Sequence, residues 1–139
     1  MRRLIATLLV SLLAGLGGHA LGAVRAPTED AADKIYSQCR NAEPDAVADC
    51  VLAREKDYGR KLADKYQSVV ELQGAAEKKL LVESQRAWLS YQEKSCKFHE
   101  QALAFDGADA ARAAGAVCSL RTTLQRLAEF DALLPKLEH

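Results

Sequence analysis

Apolar residues recur at intervals of three, four and seven along most of the chain from Pro27 onward, and nowhere do they alternate with period two. That pattern admits helices and leaves no candidate strand. Thr28, Glu29 and Asp30, behind Pro27, can cap and charge a first helix carrying Ala32, Ile35, Tyr36 and Cys39 on one side. Asn41-Ala42-Glu43-Pro44 closes it, and Pro44, suited to a first helical turn, is expected to open a second helix. The inward side of that helix reads Val47, Val51, Tyr58, Leu62, Tyr66 and Val69 or Val70. Gly59 weakens it by about 1 kcal/mol relative to Ala, unless a neighbouring backbone comes close there. Gly74 separates it from a third helix, expected to reach about Leu103, with Leu80, Leu81, Gln85, Trp88, Tyr91, Cys96 and His99 on its stripe. After the turn Phe105-Asp106-Gly107, an alanine-rich run over 108–116 forms helix readily and has small side chains that suit close helix approach. Val117, Leu120, Leu124, Leu127, Phe130 and Leu134 complete a fourth stripe, with Pro135 as its expected end. The fold class these elements imply is all-α, a small antiparallel bundle of about four helices.

Within this frame the run Gln85 to Cys96 carries the most distinctive chemistry. Gln85, Trp88 and Tyr91, with Gln92 beside them, place an amide, an indole and a phenol on one expected inward side. Trp88 is the single tryptophan and the largest apolar contribution to any core.

The first residues, Met1-Arg2-Arg3, then an apolar run from Leu4 to Leu16, then small residues up to Ala20 or Gly22, form the parts of a secretory signal peptide over 1–22. A membrane anchor is the rival, but the run is short for the roughly 20 residues a spanning helix needs. No cysteine directly follows the run, so lipid attachment is not expected. The remaining chain, 23–139, is expected to be one domain in an exported, periplasmic or secreted, protein. Losing Arg2 and Arg3 leaves 17 basic against 19 acidic residues, a formal charge of about −2. Such a balance gives no electrostatic case for nucleic acid.

Four cysteines, Cys39, Cys50, Cys96 and Cys118, are an even number in a chain read as exported, which points to disulfides. With no close Cys pair, a zinc site is not expected, nor any other metal or cofactor. Cys39 and Cys50 lie about equally far from the break at Asn41 to Pro44, and Cys96 and Cys118 from the turn at Gly107. Residues equidistant from a helix-hairpin turn share a level, so the pairs Cys39–Cys50 and Cys96–Cys118 are favoured. Cys50 and Cys96 are also nearly equidistant from Gly74, and four cysteines allow three pairings.

Catalysis finds little support: there is one internal histidine, His99, and no nucleophile triad, phosphate loop or metal spacing. Glu83, Glu93 and Glu100 are spread along the third helix among Lys94 and Lys97, as on a solvated, ion-paired face. Thr123 and Arg126, three apart, are expected to form a polar clamp with Gln85, with Glu93 a candidate carboxylate for the arginine.

Cys39, Cys50, Leu62, Tyr66, Gln85-Arg86-Ala87-Trp88, Tyr91, Glu93, Cys96, Cys118, Thr123 and Arg126 together resemble the LprI-like lysozyme-inhibitor domain family over residues 39–127. Many members carry an Asp and an Asn around the leucine matching Leu62, where this chain has Gly59 and Ala63, and an arginine where it has Gln92. The resemblance implies an exported, non-enzymatic protein that binds a lysozyme or another peptidoglycan-cleaving enzyme and blocks it. The alternative is an envelope protein-interaction or immunity-type module with no lysozyme target. Lysozymes are commonly cationic, so an acidic patch such as Glu29, Asp30 and Asp33, or Glu43, Asp45 and Asp49, would serve a nearly neutral inhibitor.

Overall fold

A computed structural model describes residues 27–138; the leader read over 1–22 lies outside the described residues, as do the side chains of Glu29 and Asp30. Four α-helices follow in order: α1 (Pro27–Ala42), α2 (Val47–Glu71), α3 (Ala75–Ala102) and α4 (Ala108–Leu137), with a short 3-10 turn at Ala104–Asp106 before α4. Among the described residues there is no strand, as the lack of alternation predicts. None of these helices is long and apolar enough to cross a membrane.

The four helices are not packed as evenly as neighbouring hairpins would be. α2 and α4, which run parallel, make the most extensive contact, while α1 and α3 each lie against α4 and the consecutive pair α2 and α3 scarcely meet. Cross-helix pairs record the directions. Asp49, Glu55 and Lys65 of α2 meet Arg112, Thr123 and Asp131 of α4 in rising order, whereas Gln85, Gln92 and Cys96 of α3 meet Arg126, Thr122 and Cys118 in falling order.

Residue size explains this arrangement. Val51, Leu62 and Val69 give α2 a buried aliphatic ridge, and α4 meets it with Ala116, Leu120, Leu124, Phe130 and Leu134. On α3 only Cys96 is fully buried, so that helix docks by one edge. It comes close to α4 at Gly115, where an added Cβ would stand 3.3 Å from the Glu100 Cβ and 3.6 Å from the Cys96 carbonyl oxygen. The close approach is therefore there and not at Gly59, where an added Cβ would meet only a Glu55 carboxylate oxygen at 3.9 Å.

Three boundaries differ from expectation. α2 begins at Val47, because residues 44–46 form a turn in which Ala46 accepts the first helical bond, from Cys50 N–H. Pro44 thus belongs to the connection. Pro135 lies inside the last turn of α4, which reaches Leu137; only one internal hydrogen bond is lost there, too few to stop the helix two residues early. Leu80 is 66 % exposed, outside the stripe assigned to it, because nothing packs over the first turns of α3 on that side.

Both favoured disulfides are present: Cys39–Cys50 closes α1 onto α2 and Cys96–Cys118 closes α3 onto α4, with Cα separations of 5.6 and 5.3 Å. No described cysteine is free. Ion pairs Arg121–Asp33 at 3.1 Å and Lys65–Asp131 at 2.9 Å tie α4 to α1 and α2 at its surface.

Candidate functional site

Because α2 and α3 both rest on α4 without closing on each other, an open groove of about 280 Å³ runs between them. Leu62 and Tyr66 form one wall, Gln85, Trp88 and Leu89 the other, and Gln92 and Thr123 the floor. Trp88 is half-buried in that wall and packs on the cluster of Leu62, Val69, Phe130 and Leu134. The indole is therefore a wall of an open groove, not the enclosed centre of a core, since α2 does not close over it.

A hydrogen-bonded chain crosses the floor. The Gln92 amide nitrogen donates to Thr123 Oγ1 at 2.9 Å, and the Thr123 hydroxyl donates to Glu55 Oε1 at 3.1 Å, joining α3, α4 and α2. The same amide reaches Thr122 Oγ1 at 2.9 Å and the Ser119 carbonyl at 3.2 Å. Thr122 in turn donates back along its own helix, to the Ser119 or Cys118 carbonyl. Thr123 is 1 % exposed, so its two partners decide whether burying that hydroxyl is favourable.

Thr123 thus bonds Gln92 and Glu55 and not Gln85, while beyond the groove's end Arg126 makes its half of the clamp expected with Gln85 and takes different further partners. Its Nε donates to Gln85 Oε1 at 3.1 Å, its terminal nitrogens reach Ser84 Oγ at 3.1 Å and Glu129 Oε2 at 2.7 Å, and its guanidinium lies 4.6 Å above the Phe130 ring. Tyr66 meets the same ring, with centroids 6.1 Å apart. Glu93 is exposed and is not the partner of Arg126, because it points away from α4; Glu129, one turn along the arginine's own helix, takes that place. Tyr91 is 60 % exposed and also faces outward. The inward side of α3 runs through Gln85, Trp88, Gln92 and Cys96, and Tyr91 falls about 100° short of Gln92.

The structure thus brings together Leu62, Tyr66, Gln85, Trp88 and Thr123, sets Arg126 beside them, and leaves Tyr91 and Glu93 on the outer surface. Gly59, Ala63 and Gln92, the three departures noted above, also line this groove. Sequence reasoning passed over Glu55, although it falls four residues after Val51 and three before Tyr58 on the inward spacing of α2. The groove is a packed and hydrogen-bonded joint between helices. It holds no group of three metal-ligating side chains, and none occurs elsewhere among the described residues.

A second feature stands at the other end. The turn joining α1 to α2 presents Glu43 and Asp45, the first turn of α2 adds Asp49, all exposed, and Asp109 at the start of α4 lies beside them. Arg112 pairs with Asp49 at 2.6 Å, and Arg40 borders the same hollow of about 320 Å³. The Cys39–Cys50 bridge clamps the turn at its base, and the Glu43 N–H donates to the Cys39 carbonyl at 2.8 Å.

Comparison with known proteins finds one family. A family model described as "Lysozyme inhibitor LprI" matches residues 39–130, which includes all four cysteines, both walls of the groove and the acidic turn. No curated protein and no solved structure matches the chain.

Proposed function

The chain belongs to the lysozyme inhibitor LprI family, a family of inhibitor domains and not of catalysts, and from that premise we propose that it is an exported protein that binds a peptidoglycan-cleaving enzyme and blocks its cleft. The observation that carries the proposal is the family match across both disulfides, since paired cysteines belong to an oxidising compartment outside the cytoplasm. The partner is a protein of the lysozyme type.

The docking element we favour is the α1–α2 turn. Glu43 and Asp45 are exposed carboxylates of the sign that attracts a cationic enzyme, whereas Asp49 is paired with Arg112, and the disulfide at the turn's base reduces the ordering cost of binding. The motif groove supports this surface indirectly, by fixing α2 on α4 behind it.

Cell-wall lysis followed by turbidity, with oxidised protein and several lysozyme types, tests the function. Inhibition at micromolar protein is expected, weakened at high salt and by Asp45→Lys combined with Glu43→Lys. No inhibition of any lysozyme type at micromolar excess removes the proposal and leaves an envelope binding module without a lysozyme target. Inhibition that survives both charge reversals keeps the function and moves its surface elsewhere.

A further inference from the structure

The connection between α3 and α4 carries Phe105, which at 81 % has the greatest exposure of any large apolar side chain among the described residues. It stands in the middle of the 3-10 turn Ala104–Asp106, a setting in which chain reversal favours Gly, Asp, Asn, Ser or Pro and asks nothing of a phenyl ring. A single exposed apolar residue is common on protein surfaces. Three features set this one apart.

The ring is held on a fixed support. The Asp106 N–H donates to the Leu103 carbonyl at 3.0 Å, and the Gly107 N–H to the Ala104 carbonyl at 3.3 Å. Gly107, at φ 107°, then turns the chain into α4, and its carbonyl accepts from the Ala111 N–H at 3.0 Å. A side chain on such a turn is ordered before it binds, which lowers the entropy lost on binding.

The ring also has apolar company that leads to the acidic end of the bundle. Leu103, 37 % exposed, lines a hollow of about 360 Å³ with Ala110 and Ala114. Ala110 borders in addition the neighbouring hollow of Asp45 and Asp109.

The charge around it has one dominant sign. Glu43, Asp45, Asp106 and Asp109 are exposed and have no ion-pair partner among the described residues. Of the two cations bordering the acidic hollow, Arg112 is taken by Asp49, which leaves Arg40. An exposed aromatic with a polar rim has the anatomy of a protein-binding patch, and four carboxylates make that rim complementary to a cationic partner. The same carboxylates repel a nucleic acid or an anionic lipid surface.

We propose that Phe105 is the anchor of the inhibitory surface, entering an apolar recess in the cleft of a cationic peptidoglycan-cleaving enzyme while Asp45, Asp106 and Asp109 face basic side chains at its rim. The inference rests on the inhibitory function proposed above and adds to the α1–α2 turn the residue that retains the partner. The carboxylates speed the encounter, and the ring slows the departure.

Cell-wall turbidity and surface plasmon resonance, with the oxidised protein and several cationic lysozymes, test it. Phe105→Ser is expected to raise the inhibition constant by about thirtyfold or more, through faster dissociation and alike at low and high salt. Phe105→Leu keeps most of the inhibition. Asp45→Lys combined with Asp106→Lys weakens it by about tenfold, through slower association and at low salt. All three positions are exposed, and far-ultraviolet circular dichroism checks that each variant is folded. Native protein that inhibits, with Phe105→Ser inhibiting equally well, overturns the anchor and leaves the function standing. Native protein that inhibits none of the lysozymes overturns both.

Discussion

Thr123→Val removes one hydroxyl and keeps the shape of the side chain, which makes it the sharpest probe of the joint between α2, α3 and α4. In the native protein that hydroxyl accepts from Gln92 and donates to the Glu55 carboxylate. A hydrogen bond to a charged group contributes about 1.5–3 kcal/mol. Two features reduce the loss here. Glu55 is only half-buried, so water can replace part of what it loses, and Gln92 keeps Thr122 and the Ser119 carbonyl. A destabilisation of about 1.5 kcal/mol is therefore expected. With an unfolding entropy of about 2.1 cal/mol/K per residue over residues 27–138, it lowers the melting temperature by about 6 °C. The assay is urea and thermal denaturation of the oxidised protein for Thr123→Val, Glu55→Ala and the double variant. If the hydroxyl acts through Glu55, the double variant costs less than the sum of the singles, by about 1 kcal/mol. Additivity within about 0.3 kcal/mol would show that the relay contributes nothing and that Thr123 is merely a packed side chain.

Other positions give simpler expectations. Arg126→Ala loses the Gln85 and Ser84 bonds and the cover over Phe130, and should lower stability by about 2 kcal/mol while leaving partner affinity unchanged in a direct binding titration; the reverse pattern would make Arg126 part of a binding surface. Chain-entropy arguments give about 2.8 kcal/mol for the Cys39–Cys50 loop and about 3.4 kcal/mol for the longer Cys96–Cys118 loop, so replacing the second pair with alanines should shift the urea midpoint further than replacing the first. Gly59→Ala should stabilise by about 1 kcal/mol in thermal melts, since its Cβ meets nothing nearer than a Glu55 carboxylate oxygen at 3.9 Å, whereas Gly115→Leu should destabilise by forcing α3 away from α4.

The helices, their faces and the disulfide pairs were legible in the sequence because each depends on local or nearly local rules. Period sets the helices, Gly74 and Gly107 mark the turns, and equidistance from a turn sets the level at which cysteines meet. What escaped is set by packing between distant elements. Hairpin reasoning favours contact between consecutive helices, yet the aliphatic ridge of α2 finds its complement on α4, and α3 docks on α4 by one edge, through Gly115, one cystine and the Gln92 and Arg126 hydrogen bonds. Tyr91 shows the limit most clearly. It fits the three-and-four spacing from Trp88 as well as Gln92 does, and only the angle at which α3 docks decides that the amide turns inward and the phenol outward.

That division along one helix separates architecture from use. Gln85, Trp88 and Gln92 face α4 and are spent on amide-to-hydroxyl bonds, a guanidinium clamp and apolar contact. Substituting them should act on folding first, and any effect on a partner should follow from lost structure. Leu80, Tyr91 and Phe98 face outward, and with the carboxylates of the α1–α2 turn they leave solvent-facing chemistry that folding does not require. Solvent-facing apolar and charged side chains can change between relatives at little cost to stability, whereas the inner face is constrained by three helices at once. A scaffold built this way keeps one joint and varies what it binds. The acidic turn is accordingly where changes between members of this family should alter the target while the melting temperature stays the same.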